Sequence, residues 1–136
     1  SKPEGSVVHE MILMASRVQM VDGKASMSTE EFAKKHAGTE VHAVAGIGNP
    51  ERFYRLLQTL GIAAKPHSFG DHHVFSKSDF SEFEENTIIL MTEKDAVKCH
   101  DLNLKNAWYL PVDSHLPEAF EKELVLRVKR LTEKTA

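Results

Sequence analysis

"VHAVAGIGNPERFYRLLQTLG", residues 41–61, decides the fold. Val41–Ile47 is a β-rich run, and Gly46 and Gly48 release the chain from it by permitting a tight turn. Asn49 is a good helix cap, and Pro50 suits a first helical turn, where no backbone N–H is needed. Phe53, Leu56, Leu57 and Leu60 then recur at i, i+3, i+4 and i+7, giving one apolar stripe that Gly61 ends. A strand, a glycine turn and an amphipathic helix are the opening of a parallel α/β layer.

The pattern continues towards the C-terminus. "KPHSF" (65–69) reads as a short strand, which Pro66 confines to an edge or a strand start. Ser76-Lys77-Ser78-Asp79 has capping-box spacing and opens a short helix with Phe80 and Phe83 on one face. "TIILM" (87–91) is apolar throughout, as a central strand covered on both faces should be. Thr92-Glu93-Lys94-Asp95 is a second capping box, opening a helix through Val97, and "AWYLPV" (107–112) is a fourth strand. A last helix is expected from about Pro117, with Phe120, Leu124, Val128 and Leu131 on one side.

Residues 1–40 differ. "VVHEMILMASRVQMV" (7–21) is β-like, Asp22-Gly23 is a turn signal, and "KASMS" (24–28) can pair back as a hairpin. Ser28-Thr29-Glu30-Glu31 caps a short helix containing Phe32. The expected fold is therefore α/β: a small, mainly parallel, Rossmann-like sheet with helices packed on it, preceded by a β-hairpin arm. The arm and its helix take residues 1–40, and the α/β lobe residues 41–136.

Bulk properties narrow the function classes. The chain has 136 residues, 41% hydrophobic and 27% charged, enough for one globular domain with a core of its own. A formal charge of −3 gives no sign of a nucleic-acid partner. The single Cys99 excludes an internal disulfide and fits a reducing compartment. The longest apolar runs, "MILMA" and "IILM", fall far short of the ~20 residues of a membrane span. The start, "SKPEGS", lacks a signal-peptide pattern, and beginning at serine suggests a processed start or a piece of a longer chain.

In a parallel sheet, ligands bind beyond the carboxyl ends of the strands. The segments leaving those ends are "GIGNP", "GDHH", "TEKD" and "VDSH", so the chemically capable residues collect on one rim. Gly46 and Gly48 can equally serve only a turn, Thr92 and Asp95 only a cap, and Asp113 and His115 a solvated loop. Asp71, His72 and His73 stand on a solvated rim, idle or aimed at a ligand. His9, His36, His42, His67 and His100 carry no pattern, Trp108 and Tyr109 suit packing, and Cys99 has no paired base in view. Asp-His-His resembles the metal-dependent DHH phosphoesterases, with His67, Asp71, His72 and His73 as ligands. The further Asp and His clusters of those enzymes are missing, and adjacent residues point apart, so no metal site is expected. No G-x-x-x-x-G-K-[ST], G-x-S-x-G or H-E-x-x-H occurs. The residues alone lead to an α/β domain with a polar rim: half of an active site, or a stand-alone ligand-binding or interaction module.

Taken in order, "VAGIGNPERFYRLLQTLG", "FGDHH", "MTEKDAVKC" and "WYLPVD" resemble the C-terminal lobe of the tetraacyldisaccharide 4'-kinase family, closely over residues 40–116 and more loosely over 7–39. The resemblance implies a kinase that moves the γ-phosphoryl of ATP to the 4'-hydroxyl of a lipid A precursor. It places that kinase on the cytoplasmic face of the Gram-negative inner membrane. It implies an N-terminal P-loop lobe of the same chain as partner, holding most of the ATP and Mg2+, and a membrane surface met through the full-length protein. The first histidine of the family's Asp-His pair works with a first-lobe aspartate in activating that hydroxyl; it matches His72, with Asp71 the acid before it, and His73 is not carried over. Gly46, Gly48, Asn49, Thr92, Glu93, Lys94 and Asp95 become cleft residues. A chain without the P-loop lobe is expected to be inactive alone and to hold no cofactor.

Overall fold

The computed structural model describes residues 17–111, with Leu126 and Arg130. Six strands form one sheet: β1 (Arg17–Met20), β2 (Ser26–Ser28), β3 (Val41–Ala45), β4 (Ala64–Ser68), β5 (Ile88–Thr92) and β6 (Ala107–Leu110). Their order is β2-β1-β6-β5-β3-β4. The four strands from β3 onward are parallel, and the hairpin adds antiparallel through β1 against β6. The expected arm is thus a continuation of the sheet, closed by a turn at Gly23 with φ +77°. Leu126 and Arg130 are helical; the rest of the expected last helix, with Asp113 and His115, lies outside the described residues.

Three α-helices join the strands: α1 (Thr29–Lys35), α2 (Pro50–Thr59) and α3 (Glu93–Cys99). Ser28 caps α1 by accepting the Glu31 N–H at 3.0 Å. Asn49 precedes α2 but makes no side-chain cap bond, so Pro50 rather than Asn49 is what suits this helix start. Gly61, at φ +82°, turns the chain out of α2 as expected. The helix expected after Ser76 is only a 3-10 turn, Lys77–Phe80, with a complete capping box; Phe83 lies beyond it.

The sheet is covered on both faces. Val41, Ala43, Ala45, Ile88, Leu90, Trp108 and Leu110 meet Phe32 of α1 and Phe53, Leu56, Leu57 and Leu60 on one side. Val44, Ile89, Met91 and Ala107 meet Phe75, Phe80, Ala96 and Cys99 on the other. This alternation explains why β5 reads as an unbroken apolar run: all five of its residues are buried. Among the described residues β4 has a neighbour on one side only, which is where Pro66 is tolerated.

Candidate functional site at the carboxyl rim of the sheet

From β3 the chain passes through α2 to β4 on one side; from β5 it passes through α3 to β6 on the other. Residues 46–49 and 92–95 therefore leave adjacent strands in opposite directions, which makes a topological switch point.

Thr92 caps α3 as expected, but the expected reciprocal half of the box is not formed, because the Asp95 carboxylate turns inward to other partners. Thr92 Oγ1 accepts the Asp95 N–H at 3.1 Å and donates to Asp95 Oδ2 at 2.8 Å. The same Oδ2 accepts the Gly46 N–H at 2.9 Å. Asp95 is 0% exposed and Thr92 2%, so neither presents itself to a ligand from this position. Glu93 is exposed and Lys94 half-buried. A Cβ at Gly46 would sit 3.0 Å from the Phe75 ring and 3.3 Å from Asp95 Oδ1, so any side chain here would crowd both neighbours. Gly48 and Asn49 are exposed, and a Cβ at Gly48 would lie 3.3 Å from Asp71 Oδ2. The glycine, Asp-His-His and Thr-Glu-Lys-Asp segments are thus brought together.

The two histidines part company. His72 has φ +64°, a left-handed conformation in which histidine is several-fold enriched among non-glycine residues. Its N–H donates to Asp71 Oδ1 at 3.1 Å, its Nε2 stands 3.7 Å from Asp71 Oδ2, and its side chain is 83% exposed. His73 stacks on Phe69 at 4.8 Å and 30°, meets the edge of Phe75 at 4.8 Å, and pairs through Nε2 with Asp79 Oδ2 at 3.0 Å. The solvated rim expected for both holds only His72, because three side chains enclose the second imidazole. The Ser76 N–H, and after it His73, hold the Asp79 carboxyl below the usual carboxylate range. Lys98 Nζ reaches the His73 carbonyl at 3.5 Å and stands 3.9 Å from Asp95 Oδ1.

The four residues weighed as metal ligands disperse. His67 bonds His42 at 2.7 Å, His73 bonds Asp79, and no three His, Cys, Asp or Glu side chains converge among the described residues. The His42–His67 pair, packed against Phe83, escaped sequence reading because only the β3–β4 register brings the two together. Burial, and then the neighbouring His42, lower the pKa of His67. Cys99 is buried, and burial and then Asp95 push its thiol up to about 12, which removes it as a nucleophile.

What remains chemically available is an exposed imidazole with a carboxylate beside it, able to orient or deprotonate a hydroxyl. Among the described residues, no helix is long and apolar enough to cross a membrane. The family model described as tetraacyldisaccharide-1-P 4'-kinase matches residues 3–129. A tetraacyldisaccharide 4'-kinase of Methylobacillus flagellatus is 46% identical over 112 residues, covering 82% of this chain and 33% of its own length. That of Psychromonas ingrahamii is 44% identical over 130 residues, 93% of this chain and 38% of its own. That of Alcanivorax borkumensis is 40% identical over 119 residues, 88% and 36%. No solved structure matches the chain significantly. The chain spans about a third of the length of these curated relatives. With the whole of the described α/β unit inside the matched range, this chain belongs to the tetraacyldisaccharide-1-P 4'-kinase family.

Proposed function

We propose that this chain is the C-terminal lobe of an ATP-dependent kinase acting on the 4'-hydroxyl of tetraacyldisaccharide 1-phosphate, a lipid A precursor. The observation that carries the reading is His72: an imidazole held on a left-handed backbone, 83% exposed, beside Asp71 at the switch-point rim. Phosphoryl transfer asks little covalent chemistry of a protein; it needs positioning, charge neutralisation and a group to orient the nucleophile. His72 would take the hydroxyl proton as the new bond forms between the sugar oxygen and the γ-phosphorus. The bond to the β,γ-bridging oxygen breaks, and ADP leaves. Asp71 keeps the imidazole in place.

ATP and Mg2+ belong to the reading of the whole enzyme. The described residues do not fit a magnesium site, since no three ligating side chains converge, and no G-x-x-x-x-G-K-[ST] loop occurs in the sequence. Triphosphate and metal would be held chiefly by a P-loop lobe in the part of the relatives' length that this chain does not span. That lobe would also bring the enzyme to the cytoplasmic face of the inner membrane as a peripheral protein.

In the full-length enzyme, His72→Ala should lower kcat by up to ~10²–10⁴-fold, the usual range for a general base, while KM changes less. The 136 residues alone should show no turnover. Full kcat in the His72 variant, or robust turnover by the isolated chain, would sink the proposal.

A further inference from the structure

Asp95 is the fully buried carboxylate of the rim, and burying a carboxylate is costly unless it is hydrogen-bonded and paired with charge. One oxygen, Oδ2, takes the Gly46 N–H and the Thr92 hydroxyl; the other, Oδ1, has no hydrogen-bond partner among the described residues and faces Lys98 at 3.9 Å. Two routes run from it to His72. Through Gly46 it fixes the turn whose Gly48 lies against the Asp71 carboxylate, and Asp71 in turn bonds the His72 N–H. Through Lys98 it reaches the carbonyl of His73, the next residue.

We infer that Asp95 is a positioning residue for His72: a buried strut that sets three loops against one another and so fixes where the imidazole stands. This rests on the catalytic reading of His72 given above. Asp95 touches no substrate, and its effect passes through Gly46, Gly48 and Asp71 on one side and Lys98 on the other. A misplacement of about 1 Å can cost a catalytic step ~10²-fold, so a strut that sets the loops carrying the imidazole has a large lever.

The test uses the full-length kinase in three variants, Asp95→Ala, Gly48→Ala and His72→Ala, with steady-state kinetics and imidazole 15N NMR. Asp95→Ala should lower kcat by about 10²-fold with KM for ATP within about threefold, and should move the His72 ring signals. Gly48→Ala leaves the core alone but displaces Asp71 by a few tenths of an ångström. It should lower kcat several-fold and move the same signals. If Asp95→Ala fails to fold, Asp95→Asn, which keeps the side chain's size but weakens its acceptance of the Gly46 N–H, decides by the same readouts. Unchanged His72 signals, a kcat within twofold of the parent, or a loss confined to KM overturns the inference. Should His72→Ala itself keep full kcat, the catalytic reading falls, and the ring signals still report whether Asp95 sets the position of His72.

Discussion

Asp95 and Asp71 stand at the same end of the same sheet, each in a short polar segment just past a strand. Asp95 is fully buried, and its carboxylate is bonded to two other residues of the core. The Asp71 side chain is 46% exposed and turned towards an exposed imidazole. Strand position accounts for the difference. β5 has β3 and β6 on its two sides and helices on both faces, so a side chain just beyond it meets backbone. Among the described residues β4 is an edge strand, and Asp71 and His72 in the loop leaving it are exposed. Polar residues at a sheet rim are therefore sorted by the strand they leave: a central strand makes them framework, and an edge strand makes them available.

That sorting also marks how much was legible in the sequence. Gly61, the unbroken β5 run, the Pro66 edge strand, the side-chain caps at Ser28 and Thr92 and the capping box at Ser76 are local signals, and local physics placed them correctly. The meeting of the polar loops was legible too, because ligand-end geometry is inherent in a parallel sheet. The inward turn of Asp95 was not, since it depends on the Gly46 N–H, 49 residues away in sequence. The enclosure of His73 depends on Phe69, Phe75 and Asp79 closing around it, and the His42–His67 pair on strand register. Contacts set by tertiary packing carry no period for a sequence to display.

The largest expected effect tests the buried half of the comparison. Asp95→Ala leaves the Gly46 N–H and the Thr92 hydroxyl without their acceptor, each worth ~1–3 kcal/mol when buried and unpaired. A loss of about 3 kcal/mol is expected in urea denaturation. Thr92→Ala, which removes the cap bond and the hydroxyl's bond to Asp95 Oδ2 but leaves the Gly46 N–H its acceptor, should cost about 1 kcal/mol. If the two variants were equally mild, the carboxylate would be a cap and nothing more.

Next in size is His73→Ala. Loss of the stack on Phe69, the edge contact with Phe75 and the bond to Asp79 should cost about 1–2 kcal/mol. His72→Ala, at a side chain that is 83% exposed, should cost within ~0.5 kcal/mol. Equal stability losses would erase the distinction drawn between the neighbours.

A smaller effect separates histidines by the partner each has. His67 is paired with another imidazole, and burial and His42 lower its pKa. The folded protein thus binds fewer protons at His67 than the unfolded chain in the window just below the ordinary value of 6.5. This contribution to stability is complete above that pH and declines as pH falls through the lowered folded value. Denaturation midpoints measured from about pH 7.5 to about pH 5 should fall, and His67→Gln should flatten that part of the profile. A slope unchanged in the variant would assign the acid sensitivity elsewhere.

The smallest effect has the opposite sign to most substitutions and isolates the backbone of His72. At φ +64° an L-residue carries strain that glycine does not, whereas glycine loses more conformational freedom on folding. The strain is worth ~1–2 kcal/mol and the entropy cost ~0.5–1 kcal/mol, so His72→Gly should leave the chain between equally stable and about 1 kcal/mol more stable. The same change at His73 should destabilise, because that residue's ring is part of the packing. A more stable His72→Gly protein without kinase activity in the full-length enzyme would identify a position where the chain accepts backbone strain to keep an imidazole in the open. A clearly destabilised one would mean that His72 is held by contacts beyond Asp71, and that the edge-strand loop is more framework than its exposure suggests.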